Sequence, residues 1–210
     1  NAALSSLSCI GNVAIVRSGD AKGAKGFVTG KHGGCEHLLC YFDDETMEKM
    51  TIGDTIDVRS QGQGMKLLDY PEILRRNMSP ELLDKMNITE ENGKLKVGVA
   101  KIVPAAIMGS GLGASTSYFG DYDITLHDKA ITQQYGLQDL RFGDIVAIQD
   151  ADTRFGRNYL TGAVTIGVVV HSDCILAGHG PGVTTLMTCK TPLIEAVIDE
   201  HANLADYFVK

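Results

Sequence analysis

The sequence predicts a mainly β protein: a small SH3-like or KOW-like barrel, then a larger β-barrel or sandwich-like domain with a few short helices. Two observations predict it. Short Val- and Ile-rich runs recur along the 210 residues, and 24 glycines punctuate them with tight turns. At 44% hydrophobic residues the chain can bury a real core, enough for one large domain or two small ones.

The elements follow in order. Asn12 to Val16 reads as a short apolar strand. A turn through Ser18-Gly19-Asp20 and Lys22-Gly23-Ala24-Lys25-Gly26 leads into a second strand at Phe27 to Thr29. Leu38 to Phe42 is a third strand, Asp44 to Met50 a helical turn, and Thr55 to Arg59 a fourth strand. Residues 1–62 thus read as the small barrel. In 63–95, Ser79-Pro80-Glu81 starts a helix, because Ser caps and Pro is tolerated at the first helical position. That stretch reads as a helical connector. From Lys96 strands dominate, at 96–103, 122–126, 144–149, 162–170, 174–177 and 183–188. One short helix over 128–135 stops at Gly136. Residues 96–210 form the second domain. Gly53-Asp54 and Gly143-Asp144 each precede a Val/Ile strand, a shared turn recipe rather than a duplicated domain.

Composition excludes several classes. The net charge of −7 disfavours general binding to nucleic acid or an anionic membrane. A basic face of Arg17, Lys22, Lys25 and Lys31 is the one route left to RNA. No apolar run approaches the roughly 20 residues that span a bilayer, and Asn1-Ala2-Ala3-Leu4 does not open a signal peptide. The five cysteines are odd in number and form no C-x-x-C pair, which points to free thiols in a reducing cytoplasm.

The residues that can carry chemistry gather towards the C-terminus. His171 and Asp173 lie two apart beyond a Val-rich strand, which puts them on one face if the strand persists. His179 returns on glycine-flanked backbone. Asp150 with Asp152, and Asp121 with Asp123, repeat the spacing. Such pairs, converging, hold a divalent metal or place an acid and a base about a substrate. The metal set expected is Asp150, Asp152, His171, Asp173 and His179. His171, Asp173 and His179 are the catalytic candidates. Gly109, Gly111 and Gly113 alternate in a loop whose amides can cradle an oxyanion. They do not make a dinucleotide fingerprint, since no helix follows. His32, Glu36 and His37 form a further ligand-rich loop. Arg154 and Arg157 either pair with the nearby acids or hold an anionic substrate.

The chain resembles the bacterial and archaeal domain-of-unknown-function family 4438. The resemblance rests on Ser18 to Gly23, Val28 to Gly34, Met108 to Gly113, Gly120 to Asp123 and the long run Val168 to Thr188. It implies a mainly β protein of barrel-like and sandwich units. It also implies a further N-terminal segment not included here, which would be a partner of this chain. It implies no reaction. The residues themselves point first to an enzyme acting on a small polar metabolite, a metal-assisted hydrolase or lyase. The alternative is a non-catalytic ligand-binding protein or homo-oligomer with its interface over 168–188, and RNA binding through the barrel comes last.

Overall fold

The computed structural model describes residues 2–33, 37–112 and 116–209. The protein is mainly β, with 40% strand against 16% helix, so the short helices serve as connectors and caps between half-barrel sheets. The first sheet comprises β1 (Val13–Val16), β2 (Lys25–His32), β3 (His37–Tyr41) and β4 (Ile56–Val58), antiparallel in the order β3-β2-β1-β4. Then come β5 (Leu74–Arg75), β6 (Ile88–Glu91), β7 (Lys94–Val99), β8 (Lys101–Pro104), β9 (Met108–Gly111) and β10 (Tyr122–Ile124). The last four are β11 (Ile145–Asp152), β12 (Asn158–Val169), β13 (Gly182–Cys189) and β14 (Ile194–Ile198). Seven of these form the main sheet, β8-β11-β12-β13-β10-β9, with β5 also on β13. A small sheet orders β14-β7-β6.

The main sheet is covered on both faces, and β11 shows how. Ile145 and Ala147 enter one core cluster with Ile10, Met78, Ile166 and Leu186. Val146 and Ile148 enter a second with Ile124, Leu137, Val169 and Val183. Alternate side chains point to opposite faces, so a strand covered on both sides reads as a continuous apolar run. The first cluster also takes Val28 from the first sheet, so the core crosses the boundary expected near residue 62. Threonines inside the main sheet satisfy one another. Thr165 lies 3.1 Å from Thr153 and 2.8 Å from Thr188, oxygen to oxygen.

Most expected strands lie within a few residues of the observed ones. Two differ for a physical reason. The strand expected over 96–103 is split at Ala100, so that β7 pairs with β14 and β8 with β11. The strand expected over 174–177 does not form. Ile175 and Leu176 face solvent there, and the Asp173 carboxylate accepts the Cys174 amide instead.

The Gly-Asp repeat is a turn recipe in atomic detail. Asp54 Oδ2 accepts from Thr51 N at 2.9 Å, and Asp144 Oδ2 accepts from Arg141 N at 2.8 Å. The glycine before each has positive φ, +105° and +81°, the left-handed region open to glycine. The two turns differ in burial. Asp144 is 1% exposed and also accepts from Asn203 Nδ2, tying the C-terminal segment to the sheet. Asp144→Ala should therefore cost about 3 kcal/mol, because buried donors lose their acceptor. Asp54→Ala, nearer solvent, should cost less than about 1 kcal/mol. Urea unfolding of the two variants measures the difference, and equal losses would refute this account.

Candidate functional site

The site grows from β10. Three residues long, it is clamped between β9 and β13. Asp121 immediately precedes it and Asp123 sits within it, 6% and 5% exposed. Two carboxylates buried so deeply need donors or counter-charges. The donors come from the segment after β12. That strand ends at Val169, and the chain bends at His171, so the shared face expected for His171 and Asp173 does not arise. His171 turns inward: its Nε2 lies 2.7 Å from Asp121 Oδ2 and 3.7 Å from Asp123 Oδ1. Asp173 stays exposed, on a neighbouring cavity of about 420 Å³ that His171 also lines. His179 Nδ1 lies 3.0 Å from Asp123 Oδ2.

A third histidine comes from the other sheet. His32, at the end of β2, packs edge-on against His171 with ring centres 4.8 Å apart. Its Nδ1 lies 3.3 Å from that of His37. One ligand atom each from His32, Asp121 and His171 falls within 4.8 Å of the others. Two imidazoles and a carboxylate are an ordinary donor set for a first-row divalent ion. His171 Nδ1 faces the Ser172 carbonyl at 2.9 Å, which leaves Nε2 for an ion.

Hydrogen bonds that His171 donates to Asp121 and then to Asp123 raise its pKa to about 10, against its partial burial. Without an ion, the ring is an imidazolium that donates through both nitrogens.

Glycine makes this contact. A Cβ at Gly182, on β13, would overlap Asp121 Oδ2 and His171 Nε2. Gly109 and Gly111 meet the same constraint from the backbone: a Cβ at either would strike Gly178 O or Asp121 O. The neighbouring amides of Ser110 and Leu112 donate to those carbonyls, so this stretch is strand β9 and its amides are partly spent. Gly113 lies outside the described residues, as do Cys35 and Glu36.

Asp150 and Asp152 lie apart from the histidines in their bonding. Asp150 sits in a bulge of β11 at φ +60°, its carboxylate accepting from Gly162 N at 2.7 Å. Asp152 is held by Arg154 at 2.7 Å, and that guanidinium lowers its pKa. Arg157 instead reaches the carbonyls of Gly109 and Gly111, at 3.2 and 3.4 Å. It lines a cavity of about 610 Å³ shared with His32, Asp121, Asp123 and His179. Lys31 departs from the expected basic face, because it is fully buried. Arg17 is paired with Asp57.

Sequence reasoning offered Asp121 and Asp123 as one of three pairs able to converge, but left them out of the metal set, and it placed His32 in a separate loop. The signal that could have joined them was Gly182, a glycine in an otherwise Val/Thr/Leu strand with no turn to explain it.

These features define a class: a mainly β protein with a His/Asp cluster where its two larger sheets meet. The chain belongs to the DUF4438 family. The N-terminal domain of unknown function matches residues 1–84 and the C-terminal one residues 85–208. A solved structure described as the crystal structure of TM1086 is similar at 51% identity with a TM-score of 0.92, covering 98% of this chain and 72% of that one. No curated protein matches the chain.

Two outcomes follow. Gly182→Ala should cost about 1–3 kcal/mol by overpacking, and less in a His171→Ala background, where half the obstruction is gone. Denaturant unfolding of the four proteins tests this, and a cost unchanged in that background would count against it. Second, a group whose folded pKa is raised contributes stability in full below its unfolded value and loses it as pH rises through the folded one. In chelator-treated protein, the stability gap between wild type and His171→Gln should shrink from pH 6.5 towards pH 10. A gap flat across that range would contradict it.

Proposed function

We propose that this protein is a metal-dependent enzyme of the hydrolase or lyase type, acting on a small polar anion. One observation carries the reading: His32, Asp121 and His171 present ligand atoms within 4.8 Å, and the first two line a cavity that also holds an arginine and a second His–Asp pair. His32, Asp121 and His171 would hold the ion, with Asp123 beside them. A bound divalent ion would polarise a substrate oxygen or lower the pKa of a water. Asp123 orients His179 through Nδ1, which leaves Nε2 as a general base or acid facing the cavity. Arg157, exposed at the rim, would steady a carboxylate or phosphate of the substrate.

Open cavities beside His171 and His179 favour this over the reading in which 168–188 is a closed subunit interface. No described helix is long and apolar enough to cross a membrane. The four described cysteines are free thiols, which supports a reducing cytoplasm as the setting.

Calorimetric titration of chelator-treated protein with Zn²⁺ or Mn²⁺ tests the centre. We expect one ion per chain, weakened by more than about tenfold in Asp121→Asn and in His171→Ala, since even outer-shell changes reach that size. Asp152→Asn should bind as wild type does. No saturable binding, or binding indifferent to Asp121 and His171, would reject the centre.

A further inference from the structure

Ser110 stands on β9 between Gly109 and Gly111. Three observations put chemical groups around it. Tyr122 pairs with Gly111 and Ile124 with Met108, so a bulge sets Gly109 and Ser110 opposite Asp123 on β10. The Ser110 amide donates to Gly178 O at 2.6 Å, which pins it beside the backbone that carries His179. Arg157 Nη1 donates to Gly109 O and Gly111 O, at 3.2 and 3.4 Å, so its guanidinium spans the serine. Ser110, Asp123, Arg157 and His179 all line the cavity of about 610 Å³.

A serine hydroxyl is a weak nucleophile until a base takes its proton. His179 is placed to be that base. Its Nδ1 lies 3.0 Å from Asp123 Oδ2, and Asp123 is 5% exposed while His179 opens to the cavity. A buried carboxylate on Nδ1 holds a proton there and leaves the Nε2 lone pair free for a hydroxyl proton. Ser110 Oγ and His179 are not hydrogen-bonded to each other in the free protein, and bonds of this kind often tighten only once substrate is bound. Beyond Ser110 the chain turns through φ +97° at Gly111 and φ +54° at Leu112. A leucine is rarely held in that region, and Leu112 lines the same cavity.

We propose that Ser110 is a catalytic nucleophile, activated by His179 and Asp123, and that the protein hydrolyses a small carboxylic ester through an acyl-enzyme. The proposal rests on the reading of this cavity as an active site with His179 as its base, and it needs no ion. Ser110 Oγ attacks the ester carbonyl carbon while its proton passes to His179 Nε2. Asp123 stabilises the imidazolium, and Arg157 faces the negative charge that develops on the carbonyl oxygen. The carbon–oxygen bond to the leaving group then breaks, and His179 returns the proton to the departing alcohol. A water deprotonated by His179 releases the carboxylic acid and restores Ser110.

Diisopropyl fluorophosphate, incubated with the chelator-treated full chain, is the probe. Ser110 Oγ forms a bond to phosphorus, the P–F bond breaks, and fluoride leaves while His179 takes the proton. Intact-mass and peptide mapping should show one adduct per chain, on Ser110, and none there in Ser110→Ala. His179→Ala, an exposed change, should slow labelling more than about a hundredfold, within the range of a lost general base. Asp123→Asn should slow it in the same direction. No adduct on the wild type, an adduct on another residue, or a Ser110 adduct that forms as fast in His179→Ala overturns the proposal. Calorimetry of Ser110→Ala with Zn²⁺ separates this from the metal centre, since the variant should bind the ion as wild type does. Ion binding without labelling sinks the nucleophile and leaves the centre standing, whereas labelling without ion binding does the reverse.

Discussion

Burial of Asp121 and Asp123 around a three-residue strand is the constraint from which the site follows. Carboxylates at 6% and 5% exposure must find donors. The polypeptide meets this by ending β12 at Val169 and bending His171 back over the sheet, and by placing Gly182 where any side chain would block the contact. His179 takes the other side of Asp123, and His32 arrives from the neighbouring sheet against His171. Remove the acids and there is no evident reason for the chain to bend there.

The arrangement rests on a sheet with a core on each face. Alternate residues of β11 feed the two clusters, and the larger cluster runs on into the first sheet. That shared core fixes β2 against β13, where Lys31 N donates to Thr184 Oγ1 at 3.1 Å and the same hydroxyl donates to Lys31 O at 3.0 Å. The backbone of β2 is thereby pinned with His32 at one end. The side chains of Lys31 and His32, adjacent in sequence, reach different surroundings, one among buried donors and acceptors and the other at the acidic cavity. Residues 116–120 thus stand between the cavity of Asp121, Asp123, the histidines and Arg157 on one side and the buried Arg75 and Arg76 on the other.

Much of the fold was legible in the sequence, because local chemistry decides it. The helix over 128–135 reads correctly because Asp128 caps it and Gly136 takes φ +61° beyond it. The Gly-Asp turns read correctly because a short carboxylate folds back on its own backbone. Gly109 and Gly111 read less well. Alternate glycines look like an anion cradle, yet close approach of the Gly178 and Asp121 carbonyls demands them. Exposed Asp173 and buried Asp123 look alike in one dimension, since i, i+2 spacing reports a face only while the strand lasts.

By itself the sequence determined the β class, the positions of most strands, the turn chemistry, and the involvement of His171 and His179 in a polar cluster. All of these depend on residues close along the chain. Only the tertiary structure decided which acids those histidines meet. His171 reaches Asp121 across 50 residues, and His32 joins from a different sheet. The surroundings of Arg75 are likewise set by distant packing, since nothing in Leu74-Arg75-Arg76 marks that guanidinium as buried beside the Cys9 thiol. Side-chain charge is written in the sequence, but its compensation depends on contacts that exist only once the sheets have closed on one another.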